Sequence, residues 1–151
     1  MTVELRAAAR DDIPVLLSLV EQYWRFEQID GFEARRIAPL LERALANDAL
    51  GRAWIAVSDG KPAGYLLVVF VFSLEHQGLT AEIDEFFVMP EHRGRALGAR
   101  LLETAEAACR AAGCTNIALQ LGRGNESARQ FYRRKGYAER DGYELLDKDL
   151  D

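Results

Sequence analysis

Three carboxylates lie within four residues of a segment that otherwise has the composition of a central β-strand. They are Glu82, Asp84 and Glu85, in the run Glu82-Ile83-Asp84-Glu85-Phe86-Phe87-Val88-Met89. Burying an unpaired carboxylate costs on the order of several kcal/mol, so we expect these acids to face a wet cleft or a cation. Carboxylates in such a place can take a proton from a substrate or hold a cation. The structural alternative is the exposed face of an antiparallel sheet.

The strand period decides which of these acids act together. By alternation, Glu82 and Asp84 share one face of the strand and Glu85 points to the other. A β-bulge within the segment would change that parity.

The chain leaves this strand through a turn of small residues that opens a helix. The segment reads Pro90-Glu91-His92-Arg93-Gly94-Arg95-Ala96-Leu97-Gly98-Ala99. The first amides of a helix have no intrahelical acceptor and carry a partial positive charge. Small residues let a ligand approach those amides, and Arg93 and Arg95 add full charges. The segment therefore predicts a pyrophosphate cradle, and it is not a Walker loop because G-x-x-x-x-G-K-[ST] does not occur.

Hydrophobic spacing predicts the elements that must position these groups. Strands are predicted at residues 3–9, 53–58, 63–73, 79–89 and 116–121, and helices at about 13–24, 33–47, 95–112 and 125–136. Pro39 indicates a late start or a kink in the second helix, and residues 137–138 and 143–146 are expected to pair as a last hairpin. Together, these strands and helices predict one domain over residues 1–151 with a mixed α/β (α+β) fold. Its central, mostly antiparallel sheet is flanked by about four helices.

Composition supports one globular domain with a real core. The chain has 151 residues, of which 49% are hydrophobic and 28% charged. The longest apolar run, Tyr65 to Phe72, is far shorter than the roughly 18 residues of a membrane helix. Residues 1–12 show no secretory pattern. We therefore expect a cytoplasmic protein with no membrane partner.

Neither metal nor nucleic acid is indicated as a ligand. Cys109, Cys114, His76 and His92 do not have the spacing of a zinc site, and we expect no metal and two small buried cysteines. The net charge of −5 disfavours nucleic-acid binding. Residues 93–135 nevertheless hold nine basic and three acidic residues, so this segment can attract a polyanion and the rest of the chain a cation. The alternative is that these charges only form solvated helix faces.

Two motifs resemble those of the GNAT acetyltransferases. The core of their motif A, [RQ]-x-x-G-x-[GA], is similar to Arg93-Gly94-Arg95-Ala96-Leu97-Gly98, with Ala96 in place of the usual glycine. Their motif B resembles Asn125-x-x-Ala128-x-x-Phe131-Tyr132-x-x-x-Gly136-Tyr137. The opening Leu5-Arg6-Ala7…Asp11-Asp12 also matches the family pattern. The resemblance thus covers nearly the whole chain.

The resemblance implies an N-acetyltransferase that uses acetyl-CoA and holds both substrates together while the amine attacks directly. The pyrophosphate would rest on the amides of residues 93–99, and the pantetheine would run beside residues 86–88. The Val88 N–H would polarise the thioester carbonyl. The implied acetyl-CoA-binding residues are Phe86, Phe87, Val88, Arg93, Gly94, Arg95, Ala96, Leu97, Gly98, Ala99, Asn125 and Tyr132.

The resemblance also suggests which residues move protons. A lysine-like amine has a pKa near 10.4, so it must lose a proton before it attacks. Asp84 or Glu85 is the candidate base, Glu82 is a third option, and the same acids would alternatively only hold a cation. Tyr132 is the candidate general acid toward the departing thiolate.

The strand before the cradle resembles that of the spermidine/spermine and thialysine acetyltransferases, through Asp84-Glu85-Phe86-Phe87-Val88. This implies a small cationic primary amine as acceptor. The candidate acceptor-binding residues are Tyr23, Trp24, Phe26, Glu27, Glu82, Asp84 and Glu85. A homodimer supported by an edge strand near residues 137–148 is a further family expectation.

Three other functions stay open at this point. One is acetylation of a protein N-terminus or lysine, which needs an open peptide groove. Another is a non-catalytic acyl-CoA sensor, which the presence of Tyr132 disfavours. The third is a different acyl donor.

The methyl group of Ala96, which stands where the family motif has glycine, would also crowd the pyrophosphate.

Overall fold

Apolar runs of the chain form five strands of one sheet. The computed structural model, which describes residues 2–151, places them at β1 (Val3–Ala7), β2 (Gly51–Ser58), β3 (Lys61–Ser73), β4 (Gly78–Val88) and β5 (Ile117–Leu119). Strand order follows the chain, β1 to β5. The first four strands pair antiparallel, and β4 pairs parallel with β5. This confirms the predicted mixed, mostly antiparallel sheet.

Residues 2–151 also form four α-helices, as predicted. They are α1 (Ile13–Phe26), α2 (Ala34–Leu45), α3 (Leu97–Ala111) and α4 (Glu126–Arg134). Pro39 lies inside α2, which does not start late. Asp12 does not cap α1 with its side chain; its carboxylate accepts from the Ala9 N–H at 2.8 Å and from Arg6 at 2.7 Å.

The contacts of the chain separate it into two compact units. The first ends at Leu119 and the second is Gln120–Asp151. In the first unit, α1 and α2 bury apolar side chains against Ile55, Tyr65 and Phe87 of the sheet. Helix α3 packs on β2, β3 and β4 with residues outside that cluster, so the sheet is covered on both faces. Each fully buried leucine of these helices contributes about 1.5–3 kcal/mol.

A β-bulge at Asp84 changes the predicted parity of β4. Leu67 of β3 pairs with Glu85, and the next residue, Val68, pairs with Ile83, so Asp84 has no partner of its own. Cross-strand partners point to the same face of a sheet. Glu85 and Ile83 therefore point to opposite faces, although they are two residues apart.

The bulge brings two acids to the same face. Glu82 pairs with Val69, which lies two residues from Leu67 and shares its face. Glu82 and Glu85 therefore both face the side that carries Tyr65 and α1. The prediction that Glu82 lies opposite Glu85 is wrong, because a regular strand was assumed.

The second unit contains α4 and the C-terminal segment. Asn125 caps α4 by accepting the Ala128 N–H at 3.2 Å, and Gly136 follows its end with φ 94°, which agrees with the predicted limits of this helix. The predicted hairpin of residues 137–138 and 143–146 is wrong. Gly142 does turn the chain, with φ 87°, but residues 141–151 are all exposed, and an isolated two-stranded hairpin is only marginally stable in water.

Candidate active site

The Glu85 carboxylate is held by two neutral donors from different elements. The Tyr65 hydroxyl on β3 donates to Oε1 at 2.7 Å, and the Trp24 indole Nε1–H on α1 donates to Oε2 at 2.7 Å. Tyr65 is 1% exposed, and Trp24 packs edge-on against Phe32 with ring centroids 6.0 Å apart. Three elements, α1, β3 and β4, thus fix one carboxylate.

Among residues 2–151, no cationic side chain neutralises this carboxylate. Within the part of the chain that the structure describes, neither Asp84 nor Glu85 has an arginine, lysine or histidine nitrogen within 4.0 Å. Burial raises the pKa of both carboxyls. The hydrogen bonds from Tyr65 and Trp24 act to lower the pKa of Glu85, and the charge of Asp84 raises it further. A carboxylate in this state readily accepts a proton or attracts a cation.

Tyr23 adds an aromatic wall to this acidic corner. Its ring lies 6.3 Å from Tyr65 and 5.6 Å from Phe87, measured between centroids. Burial, followed by the charges of Glu27, Glu85 and Asp84, raises the pKa of Tyr23 to about 12. The structure therefore brings Tyr23, Trp24, Glu27, Asp84 and Glu85 together, as the predicted acceptor site requires. Glu82 lies on the same face of β4 as Glu85.

The sequence did not predict Tyr65 as a site residue. It lies in a continuous apolar run, where a tyrosine is expected to be part of the core. Only the pairing of β3 with β4, two residues beyond the bulge, shows that its hydroxyl reaches Glu85.

Arg93 lies over the aromatic side chains at the end of β4. Its guanidinium carbon is 4.5 Å from the ring centroid of Phe26 and 5.7 Å from that of Phe87. Its Nε–H donates to the Val88 carbonyl at 2.9 Å. The predicted cofactor residue Arg93 and the predicted acceptor residue Phe26 are thus in contact.

The backbone of β4 near Val88 is directed away from β3. The Met89 N–H donates to the Ala63 carbonyl at 2.8 Å, and hydrogen-bonded pairs alternate along an antiparallel ladder. The backbone groups of Phe86 and Val88 therefore point to the other edge of β4. In the described chain the β4–β5 ladder ends at the pair Ile83–Leu119. This geometry suits the strand-like insertion predicted beside residues 86–88.

The turn after β4 fits a pyrophosphate. Gly94 and Ala96 have φ angles of 79° and 60°, and α3 begins only at Leu97, later than predicted. The first helical bond runs from the Arg100 N–H to the Ala96 carbonyl at 3.1 Å, so the amides of residues 97–99 precede the helical ladder. A Cβ atom on Gly94 would meet nothing within 4 Å, which shows that the turn is open.

Ala96 departs from the expected helical position. It is the N-cap of α3 in the left-handed conformation, which costs a non-glycine residue roughly 1–2 kcal/mol. Alanine in place of glycine at this motif position therefore strains the backbone.

Two predicted site residues belong to the second unit. Tyr132 lies on α4 and packs edge-on against Phe131 and Tyr137, with centroids 5.3 and 5.4 Å away. Asn125 uses its side-chain oxygen to cap the same helix. This unit also has a depression lined by Gln120, Leu121, Gly122, Arg123, Glu144 and Leu145.

Metal-binding clusters and membrane-spanning helices are both absent from residues 2–151. Residues 2–151 contain no cluster of three or more histidine, cysteine or carboxylate side chains arranged to bind a metal ion. No helix in the same range has the length and apolar character needed to span a membrane.

Known proteins match the chain along most of its length. The aminoalkylphosphonate N-acetyltransferase of Salmonella typhimurium is 30% identical over 139 residues, which cover 89% of this chain and 84% of that protein. The crystal structure of an integron cassette protein, HFX_CASS3, from the mobile metagenome of Cole Harbour Salt Marsh has a TM-score of 0.86 and 28% identity. The match covers 97% of this chain and 90% of that one.

A predicted acetyltransferase from Clostridium acetobutylicum, solved with acetyl-CoA, has the same fold. Its TM-score is 0.83 at 19% identity, over 97% of this chain and 96% of that one. The family model described as "Acetyltransferase (GNAT) family" matches residues 16–137. Motif, fold and family match agree, and the chain therefore belongs to the GNAT acetyltransferases, enzymes that take acetyl-CoA as co-substrate.

Proposed function

We propose that this enzyme acetylates the primary amine of a small cationic molecule by direct attack in a ternary complex. The observation that carries the proposal is the Glu85 carboxylate, which is partly buried, has no cationic side-chain partner among residues 2–151 and faces aromatic side chains. Asp84 and Glu27 add negative charge to the same corner. An ammonium group is attracted to such a place, and its proton has an acceptor there.

Each proton then has a proposed carrier. Glu85 removes a proton from the ammonium, directly or through one water, so that the nitrogen gains the lone pair with which it attacks. The acetyl-CoA thioester supplies the electrophilic carbonyl, and the bond between carbonyl carbon and sulfur breaks. Tyr132 is proposed to give its hydroxyl proton to the leaving sulfur, and the second proton, which the nitrogen loses as the amide forms, restores that hydroxyl. Asp84 and Glu82 are proposed to hold the cation.

The acetyl-CoA site is proposed from the chain's own backbone. The amides of residues 97–99 and the charges of Arg93 and Arg95 would bind the pyrophosphate. Arg93 would have to leave Phe26 to do so, because its guanidinium now lies over that ring. The Val88 N–H, directed away from β3, would donate to the thioester oxygen.

The acceptor class is tested by release of CoA thiol from acetyl-CoA with a panel of amines. The panel holds spermidine, putrescine, a lysine analogue, an aminoglycoside, an aminoalkylphosphonate and short peptides. A polyamine acceptor is the proposal drawn from the spermidine/spermine resemblance, and the Salmonella relative motivates the phosphonate. Turnover on peptides alone would favour a protein acetyltransferase. Binding of acetyl-CoA without turnover would favour the sensor function.

Glu85→Gln tests the base directly. We expect kcat to fall about 100-fold or more, because a general base contributes at least this factor. Asp84→Asn is the matched variant one residue away, and its effect should fall mainly on the KM of the amine. A larger loss of kcat for Asp84→Asn would make Asp84 the base.

Location and assembly remain proposals. A cytoplasmic homodimer is consistent with the family resemblance, but the edge strand expected near residues 137–148 is not formed. Light scattering after size-exclusion chromatography would measure the oligomeric state.

A further inference from the structure

We infer that Trp24 and Tyr65 are positioning residues that hold Glu85 in one orientation and keep its carboxylate charged for proton transfer. The inference rests on the proposed function, in which Glu85 is the base. It goes beyond that function because it assigns a role to two residues, on α1 and β3, that need not touch either substrate.

The first argument is geometric. Each oxygen of Glu85 accepts one short hydrogen bond of 2.7 Å, from donors 61 and 20 residues away in the chain. Bonds to a charged acceptor are about twice as strong as neutral ones, so the pair restricts rotation of the carboxylate. Each oxygen also keeps a second lone pair, so the group can still accept a proton from an amine or a water.

The second argument concerns the chemical type of the donors. A cationic partner would stabilise the charged carboxylate so strongly that it would become a weak base. An apolar environment without donors would keep it protonated. An indole N–H and a phenol O–H lie between these limits, because they offset the burial of Glu85 without adding a positive charge.

The charged groups around Glu85 do not replace these donors. Around it lie Asp84 and Glu82 of β4, Tyr23 of α1 and Glu27, the residue that follows α1, all of which are neutral or negative. Helix α2 packs into the apolar cluster with Ile37, Ala38, Leu41 and Leu45, and its Arg35 and Arg36 form ion pairs with Glu33. Arg93 lies over Phe26 and Phe87, with its Nε–H on the Val88 carbonyl.

Two substitutions remove one donor each and keep the shape. Tyr65→Phe retains the ring that fills the core and removes only the hydroxyl. Replacing Trp24 by benzothienylalanine retains the bicyclic shape, and its packing on Phe32, and removes only the N–H. Tyr143→Phe, at an exposed tyrosine, is the control for loss of a hydroxyl as such.

Two readouts separate positioning from folding. Carbon NMR of protein labelled at the glutamate carboxyls follows the titration of Glu85 without any substrate. The pH profile of kcat/KM for the best amine follows the same group in turnover. We expect the Glu85 pKa to rise in both donor variants, since a bond that favours the charged form is lost. The acidic limb of the profile should move to higher pH.

The size and pattern of the effect decide the inference. Each donor variant should lose about tenfold more activity, relative to wild type, on the acidic limb of the profile than on the plateau. The reason is that a hydrogen bond to a charged group changes the protonation equilibrium by about this factor. An unchanged Glu85 pKa, with activity lost equally at every pH, would overturn it and leave a structural role. If the wild-type enzyme turned over no amine, the proposed function would fail, and the NMR titration alone would still decide whether the two donors control Glu85.

Discussion

At the scale of single residues, the site depends on side chains whose surroundings set their chemistry. Glu85 lies in a strand with two other acids, yet it alone accepts bonds from both Tyr65 and Trp24. Asp84 is the neighbouring residue in the chain, but it is the bulge residue and its surface is open to solvent, although nearby protein displaces enough water to raise the pKa of its carboxyl. The residue types predicted an acidic site, whereas the division of roles among the three acids required the structure.

Ala96 offers a test of backbone strain in the cradle. Ala96→Gly should raise the free energy of unfolding by up to about 1 kcal/mol, because glycine adopts a positive φ without the Cβ penalty. Urea denaturation of the full chain measures this change.

The control is the same substitution at an exposed helical position. Ala107→Gly lies inside α3 and should lower the free energy of unfolding by about 0.5–1 kcal/mol. If both variants changed stability in the same direction, the left-handed conformation of Ala96 would not be the dominant effect.

At the scale of elements, the pairing of β3 with β4 positions both halves of the site. The same ladder brings Tyr65 to Glu85 and directs the Val88 backbone to the opposite edge of β4. Strand and helix locations were predictable because the apolar periods are clear. The β-bulge could not be predicted, because the residue types at positions 82–88 do not indicate which residue lacks a cross-strand partner.

Gly64 tests how closely these two strands must approach. A Cβ atom there would lie 2.6 Å from the Phe87 carbonyl oxygen and 3.2 Å from the Val88 Cα. Gly64→Ala should therefore lower the free energy of unfolding by about 2–3 kcal/mol and weaken acetyl-CoA binding, because the strands must move apart. Urea denaturation and acetyl-CoA titration measure the two effects.

Gly124→Ala is the matched control for Gly64. Its added Cβ would meet nothing within 4 Å, so stability should change by no more than about 0.5 kcal/mol. Equal losses in the two variants would refute the steric argument.

At the scale of the whole molecule, the buried residues are unevenly distributed. Among residues 2–151, all those classed as buried precede Gln120, and α4 has none. The C-terminal hairpin failed as a prediction for the same reason, because a strand pattern without burial does not hold together. The composition predicted a hydrophobic core, but it did not show which part of the chain contributes no buried residues to that core.

Hydrogen exchange should reveal this difference. Amides of α4 are expected to exchange at least about tenfold faster than those of α3, because local opening of α4 exposes no buried side chain. Peptide-resolved mass spectrometry of the full chain measures both helices in one experiment. Equal protection would mean that α4 opens only when the whole chain unfolds.

The bulge at Asp84 also has a consequence for engineering and for comparing relatives. If Asp84-Glu85 were grafted onto a regular strand, the letters would be preserved but Glu85 would point toward the opposite layer. One inserted or deleted residue here moves an acid across the sheet without any change in composition. Alignments of this strand should therefore be judged by the position of the extra residue. A design that transfers Glu85 to another sheet must transfer the β-bulge at Asp84 as well.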